Sequence, residues 1–445
     1  MSTTTTKTNT ATKTATHTEM ARMYIARHWQ DTMYTRGQWY NYENGVWLAK
    51  HDLAVAHEIW QLLEEFEGKN RCRPTKTIHS SVTSRIQARL FIPEEQVDGY
   101  DNLVNLTNGV YNMEDGNLYP HKEDYYFTTQ LPFDHDPHAS APTFLMYLLS
   151  TFVKPQSTEA DRELIEFVQE AVGYSLTTSN LHHVTFWCYG EGANGKGVLF
   201  HIMQELAGSS AIPLNVGLLR REQYQLADLA GKRIALCSEA NATKNLVEDA
   251  IIKTLISGDA MNVRQIRGKP FRLDPVCKLW WSMNKLPAVA DTSDGFWRRM
   301  RVLPFNRQFS ENERIKDLKA RLSLELPGIF NWAMEGLKRL RKVGHFTEPQ
   351  QVLEVTNRYR KESNPVQLFI EDCCEVNLVL KGQSSYMYAA YKEWCFDNNF
   401  KPLSSKNFKD EMHRLGFYSK KSGGVVLFTG IDLLPKQKTA QTMFP

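Results

Sequence analysis

The stretch His182–Gly208, HHVTFWCYGEGANGKGVLFHIMQELAG, decides the fold class. HHVTFWCYG is a short apolar run closed by glycine, and it predicts a buried strand. GEGANGKG follows as a glycine loop. VLFHIMQELAG has helical spacing and stops at Gly208. Gly190-xxxx-Gly195-Lys196 therefore lies where a phosphate loop belongs, after a strand and at the start of a helix. Glycines let backbone N–H groups turn inward around phosphate oxygens. The helix N-terminus adds partial positive charge, and Lys196 adds a point charge. The candidate cradle is Gly190, Glu191, Gly192, Ala193, Asn194, Gly195, Lys196, Gly197 and Val198. One residue departs from the pattern: Gly197 stands where a serine or threonine hydroxyl normally holds Mg²⁺. The plain alternative is a glycine-rich strand–helix turn with no ligand.

Further apolar strands follow: RIALCSEA (Arg233–Ala240), VCKLWWSMN (Val276–Asn284) and RMRVLPF (Arg299–Phe305). Helical segments separate some of them, which predicts an α/β layer with a largely parallel sheet. Glu239, at the end of the first strand, is placed to orient and deprotonate an attacking water; it stands alone there, so its Mg²⁺ contact would be indirect or borrowed. Asp228 and Glu248 are weaker donors. Asn284, at the end of the second strand, can hydrogen-bond a γ-phosphate or its water; otherwise it is a turn residue before Lys285 and Pro287. Arg298 and Arg299 precede the third strand, and one of them can reach a neighbouring subunit's nucleotide. As isolated residues they are a solvated face. SGDAMNVRQIRGKPFRLDP (Ser257–Pro275) reads as a basic hairpin. Arg264, Arg267, Lys269 and Arg272 suit a nucleic-acid backbone and Phe271 a base; the alternative is a solvated hairpin.

The totals narrow the setting. The chain has 445 residues, room for about two to four domains. A net charge of +3 excludes a wholly basic nucleic-acid coat, so any such surface is local or made by assembly. Cys72, Cys188, Cys237, Cys277, Cys373, Cys374 and Cys395 are scattered with no CxxC pair. That argues against a zinc ribbon or disulfide framework and for a reducing, intracellular setting. No apolar run approaches about 20 residues, so no membrane helix is expected. The threonine-rich start has no secretory core. Asn44-Gly45, Asn108-Gly109 and Asp115-Gly116 mark hairpin turns in the first third. Asp134, His135, Asp136 and His138 imitate a metal cluster, but a turn before a helix explains them better. At the far end, helix YMYAAYKEWCFDNN, helix SKNFKDEMHRLG and hairpin FYSKKSGGVVLFTGIDL suggest a winged-helix module. Its Lys406, Lys409, Arg414, Lys420 and Lys421 suit duplex DNA.

In their order, GEGANGKG, LADLAGKRIALCSE, SGDAMNVRQIRGKPF, WWSMNKLP and DGFWRRMRVLPF resemble a superfamily 3 helicase. More narrowly, the chain resembles the phage/plasmid primase family, which shares its helicase with the poxvirus primase-helicase. NLTNGVYNMEDGNLYPH and TTQLPFDHDPHASAPTF resemble that family's segment before the motor, and the resemblance covers about residues 90–430. It implies an α/β fold with an AAA+-type P-loop NTPase core, a small α+β N-terminal domain and a C-terminal winged-helix module. The expected division is a disordered tail at 1–18, the α+β domain at 19–140 and a helical collar at 141–180. The core at 181–342, a linker at 343–365 and the winged-helix-like domain at 366–445 follow. It also implies a homo-hexameric ring that hydrolyses ATP with Mg²⁺ between subunits and translocates on single-stranded and forked DNA. Lys196 would bind phosphates, Glu239 act as the catalytic acid, Asn284 as sensor and Arg298/Arg299 as the finger pair, with Arg299 favoured. Arg264 to Phe271 would line the pore. The stretch before residue 90 is too short for a primase-polymerase, so priming would come from a separate primase or polymerase. A mobile element in a host cytoplasm is the expected setting. Two readings compete: a hydrolysis-poor origin-binding ring, motivated by Gly197, and a small-molecule P-loop kinase, for which the arginine pair and hairpin have no use.

Overall fold

The computed structural model describes residues 14–69, 71–216, 219, 224–238, 250–265, 268, 270–287 and 294–435. Two compact units emerge. The first comprises 1–242, 250–285 and 303–349; the second comprises 243–249, 286–302 and 350–445.

The first unit opens with α1 (His17–His28) and an antiparallel sheet of β1 (Thr32–Thr35), β2 (Gln38–Glu43) and β3 (Val46–Lys50). Helices α2 (Asp52–Gly68) and α3 (Lys76–Arg89) follow. Thr16 and Glu19 form a capping box on α1, so a helix starts within the stretch 1–18 that the sequence reading expected to be a disordered tail. Asn44 and Gly45 take φ of 49° and 83°, as the β2–β3 turn requires. Tyr24, Trp39, Ile59, Leu63, Val82 and Ile86 pack the core between these elements. A second small sheet joins β4 (Leu103–Leu106), β5 (Gly109–Asn112) and β6 (Leu118–Tyr119). Helices α4 (Pro142–Thr151) and α5 (Arg162–Ser175) lead to the main sheet.

That sheet is built from β7 (Thr185–Tyr189), β8 (Ala211–Leu214), β9 (Ile234–Ser238), β12 (Lys278–Met283) and β13 (Met300–Pro304), in the order β13-β7-β12-β9-β8. β7, β12, β9 and β8 pair in parallel. Helices α6 (Lys196–Ala207), α7 (Tyr224–Ala227) and α8 (Ala250–Ser257) connect them, and α8 is followed by the hairpin of β10 (Met261–Arg264) and β11 (Pro270–Leu273). Helix α9 (Asp294–Trp297) lies in the second unit, and β13 passes from that unit into the first. Phe186, Trp187 and Cys188 of β7 and Leu279, Trp280 and Trp281 of β12 are all buried, as expected of strands covered on both faces. Helices α10 (Leu318–Ser323) and α11 (Leu326–Val343) close the unit. α11 packs tightly on α5: a Cβ on Gly173 would lie 2.2 Å from Ala333 O, and one on Gly336 2.5 Å from Gln169 C.

The second unit contains α12 (Gln350–Glu362), α13 (Pro365–Cys373), β14 (Cys374–Gln383), α14 (Ser384–Asp397), α15 (Ser405–Arg414), β15 (Ser419–Ser422) and β16 (Val425–Leu433). The three strands pair antiparallel in the order β14-β16-β15 around Phe369, Met387, Tyr391, Phe408 and Phe428. Two expectations need correction. The stretch 343–365 is not a bare linker, because α12 fills most of it. The tail module also has a strand, β14, that the expected helix–helix–hairpin lacks.

Candidate nucleotide site

The glycine loop leaves β7 at its carboxyl end. Its neighbours β13 and β12 lie on either side, and the connection through α6 leads away to the far edge of the sheet. Ligands of open α/β sheets bind at such a switch point, outside the carboxyl ends of the strands. The backbone there is fixed on both sides. Gly190 N donates to Met283 O of β12 (3.2 Å), and Phe305 N donates to Tyr189 O (2.7 Å). Gly192, Ala193 and Gly195 take φ of 100°, 49° and 88°, the left-handed conformations that let a loop turn its N–H groups inward. Gly190 is required sterically, since a Cβ there would lie 2.5 Å from Phe305 O and 2.4 Å from Asn194 Nδ2.

Lys196 opens α6 and is only 5% exposed. Its ammonium donates to Gly190 O, to Asn194 Oδ1 at 3.3 Å and to Asn284 Oδ1 at 3.2 Å. The structure thus brings together two residues 88 positions apart that the sequence singled out separately. An arriving phosphate would replace carbonyl and amide oxygens as the ammonium's partner, a charge-assisted exchange.

Sequence reasoning missed the support behind the loop. Tyr147 of α4 donates its hydroxyl to Gly195 O (3.0 Å), and Thr151 Oγ1 lies 3.2 Å from where a Gly195 Cβ would be. Phe309 N donates to Ala193 O (2.8 Å). Between α4 and the 307–319 segment, a cavity of about 720 Å³ opens on Ala193, Gly195 and Val198. Tyr147, Phe309, Ile315 and Leu318 give it apolar walls. The Arg307 guanidinium sits 4.7 Å above the Phe309 ring and is held by Ser150 O (2.9 Å) and Glu313 (2.7 Å). Hydrogen bonds from the Ser310 backbone and hydroxyl and from Arg307 hold the Glu313 carboxyl down at about 2. An apolar, cation-flanked cavity next to a phosphate loop suits a nucleoside.

The metal is a different matter. A Cβ built on Gly197 meets nothing within 4 Å, so the missing hydroxyl is not excluded by crowding. Among the described residues no group of three or more His, Cys, Asp or Glu could hold a metal ion. Glu239 lies outside the described residues. No described side chain is therefore assigned to Mg²⁺.

Arg298 and Arg299 belong to the second unit. Arg298 is exposed, whereas Arg299 is partly buried and donates to Gly295 O (2.7 Å). In the β10–β11 hairpin, Arg264 is exposed over the Tyr224 ring (5.6 Å) and Arg272 pairs with Asp274 (2.9 Å). Phe271 is 5% exposed, so this ring is packed rather than projecting from the hairpin as the sequence reading expected. Arg267 and Lys269 lie outside the described residues. In the second unit, Lys406, Lys420 and Lys421 are exposed and Lys409 is partly so, while Arg414 is bound to Glu411. Asp134 accepts from the Thr107 hydroxyl and Asp136 from His138 N, which is turn chemistry.

Family models match three stretches of the chain. Residues 22–153 match the family model "D5 N terminal like", and 361–423 match "Poxvirus D5 protein-like". Residues 188–299, which contain the loop, match a family of unknown function. These findings support a primase-helicase-like family. L207/L206 of Acanthamoeba polyphaga mimivirus, named as a candidate helicase, is 26% identical over 291 residues, 59% of this chain and 30% of that protein. Protein 022R of Frog virus 3 (isolate Goorha), similarly named, is 24% identical over 246 residues, 48% of this chain and 24% of that protein. The chain thus spans less than a third of either relative's length. The apo A form of the NrS-1 C terminal region shares the fold, with a TM-score of 0.51 at 11% identity over 92% of this chain and 98% of that one. No helix among the described residues is long and apolar enough to cross a membrane.

Proposed function

We propose that this protein is an ATP-driven DNA helicase motor with an AAA+-type core, working as a homo-hexameric ring on single-stranded and forked DNA. The observation that carries the reading is the convergence of Lys196 and Asn284 at the carboxyl ends of adjacent parallel strands, within a loop of left-handed backbone. The similarity to viral proteins named as helicases supports the choice of work done by the site.

In this reading the loop N–H groups and the α6 N-terminus hold the phosphates, and Lys196 leaves Gly190 O for the β- and γ-phosphates. The cavity beside Phe309 takes the nucleoside. Asn284 orients the attacking water and Glu239 accepts its proton. Arg298 or Arg299 reaches the nucleotide of the next subunit; Arg298 is the more exposed of the two. Mg²⁺ would screen phosphate charge when bound, but no step is assigned to it through the described residues. The second unit, with its helix–strand–helix–helix–hairpin order, is read as a winged helix that binds DNA through Lys406, Lys409, Lys420 and Lys421. A separate primase or polymerase would supply primers.

Gly197 supports a second reading, a ring that binds nucleotide and origin DNA but hydrolyses poorly. One assay separates them. The motor reading expects ATP hydrolysis stimulated by single-stranded DNA, together with unwinding of a forked duplex. Equal hydrolysis with and without DNA and no unwinding would reject it.

A further inference from the structure

Helix α3 carries a surface that the motor chemistry does not use. Lys76, Ser80 and Ser84 follow one another at four-residue spacing, as do Arg85 and Arg89, and all five are exposed. Residues at that spacing share a helix face. The helix contains no acidic residue, and none of its three cations has an ion pair with a described residue. Arg85 and Arg89 form the row at the C-terminal end of the helix, whereas Lys76, Ser80 and Ser84 form a separate row on another side of it. Two arginines one turn apart, with no carboxylate on their helix, complement neighbouring phosphates of one strand.

At the C-terminal end of α3 the arginine row meets a cavity of about 320 Å³, bounded by Tyr34, Gln87, Phe91, Glu94, Pro270 and Phe271. Its frame is fixed: Tyr34 N donates to Leu90 O (2.9 Å) and Ile92 N to Tyr34 O (3.0 Å), which clamps the Phe91 backbone against β1. Gln265 donates to Gln38 (3.2 Å) and ties the β10–β11 hairpin to β2. Yet Phe91, which lines this cavity, is 49% exposed. The volume suits one nucleotide better than a larger ligand. The Glu94 carboxylate repels phosphate but accepts from a base's amino group, which favours a base inside and the backbone outside.

We propose that the C-terminal turn of α3 and the Phe91 cavity form a contact site for single-stranded DNA, with the backbone across Arg85 and Arg89 and one base in the cavity. A pair of cations beside an aromatic platform is the combination that single strands require, and a base stacked in duplex could not enter. The choice of DNA as occupant rests on the motor reading; the site rests on α3 itself.

The test uses the full chain, a labelled mixed-sequence single strand and anisotropy across a salt series. Arg85→Gln/Arg89→Gln should weaken binding and lower the salt slope by about 1.4, roughly 0.7 for each lost contact. Phe91→Ala should weaken binding about tenfold, and Phe91→Trp should restore it. DNA-free ATP hydrolysis and thermal midpoint should stay at wild-type values in all three. Wild-type affinity and slope in both the arginine and the alanine variants would overturn the proposal, as would an equal loss for blunt duplex. If no protein hydrolyses ATP while the variants still lose strand binding, the motor reading fails and the contact site stands.

Discussion

Two buried lysines mark opposite ends of the same sheet. Lys196 lies at the carboxyl end of β7; Lys278 opens β12 at the amino end. Both are buried, at 5% and 2% exposure. The Lys278 ammonium donates to Thr177 O (2.7 Å) and Val276 O (2.8 Å) and lies 4.9 Å from the centre of the Tyr174 ring. Beside it, buried Arg233 donates to Leu176 O and Leu103 O. These cations clasp carbonyls that belong to the fold. Lys196 also holds a carbonyl, but within a left-handed loop that borders a cavity. Burial and residue type are therefore alike, and surroundings separate the proposed phosphate-binding lysine from the structural one.

The comparison can be broken in several ways. The largest expected effect is at Asn284. Asn284→Ala should lower the ATP hydrolysis rate about hundredfold while nucleotide binding remains, because the amide acts on the attacking water. Retained hydrolysis would remove it from the site. Next come the loop glycines. Gly190→Ala forces a contact with Phe305 O and should lower stability by about 1–3 kcal/mol with loss of nucleotide binding. Gly197→Ala enters open space and should leave the melting midpoint unchanged.

At the other end, Lys278→Met should lower stability by about 1–3 kcal/mol, since the carbonyls of Thr177 and Val276 lose their donor. Denaturant titration measures this, and nucleotide affinity should not follow it. The smallest effect is one of pH. Burial pushes the Lys278 ammonium from 10.5 down to about 7. The unfolded chain therefore binds more protons than the folded one above pH 7, so this lysine makes stability rise with pH. The rise should be visible between pH 7 and 9, below the range where the buried thiols of Cys188 and Cys237, raised from 9.0, work in the opposite direction. It should be absent in Lys278→Met, and an identical pH profile in both proteins would contradict the assignment.

What the sequence disclosed followed from local chemistry. The loop was legible because left-handed backbone demands glycine, and β7 and β12 because strands buried on both faces are apolar throughout. Helix α3 was not legible: its serines, threonines and cations bury only Val82 and Ile86. β14 escaped because it bulges between Val376 and Lys381, leaving Leu378 and Val379 exposed against the usual alternation. The roles of Tyr147 and Thr151 have no local signature, since they touch Gly195 only through tertiary packing. The hairpin's Phe271 misled for the same reason: an aromatic beside arginines resembles a base contact until packing buries it.

The most direct test is nucleotide binding by three proteins, read by displacement of a fluorescent ATP analogue with unlabelled ATP. Wild type and Lys278→Met should bind alike, and Lys196→Ala should lose at least about tenfold in affinity. Wild-type affinity in Lys196→Ala would contradict the account, because the loop at 190–197 would then not be where the phosphates bind.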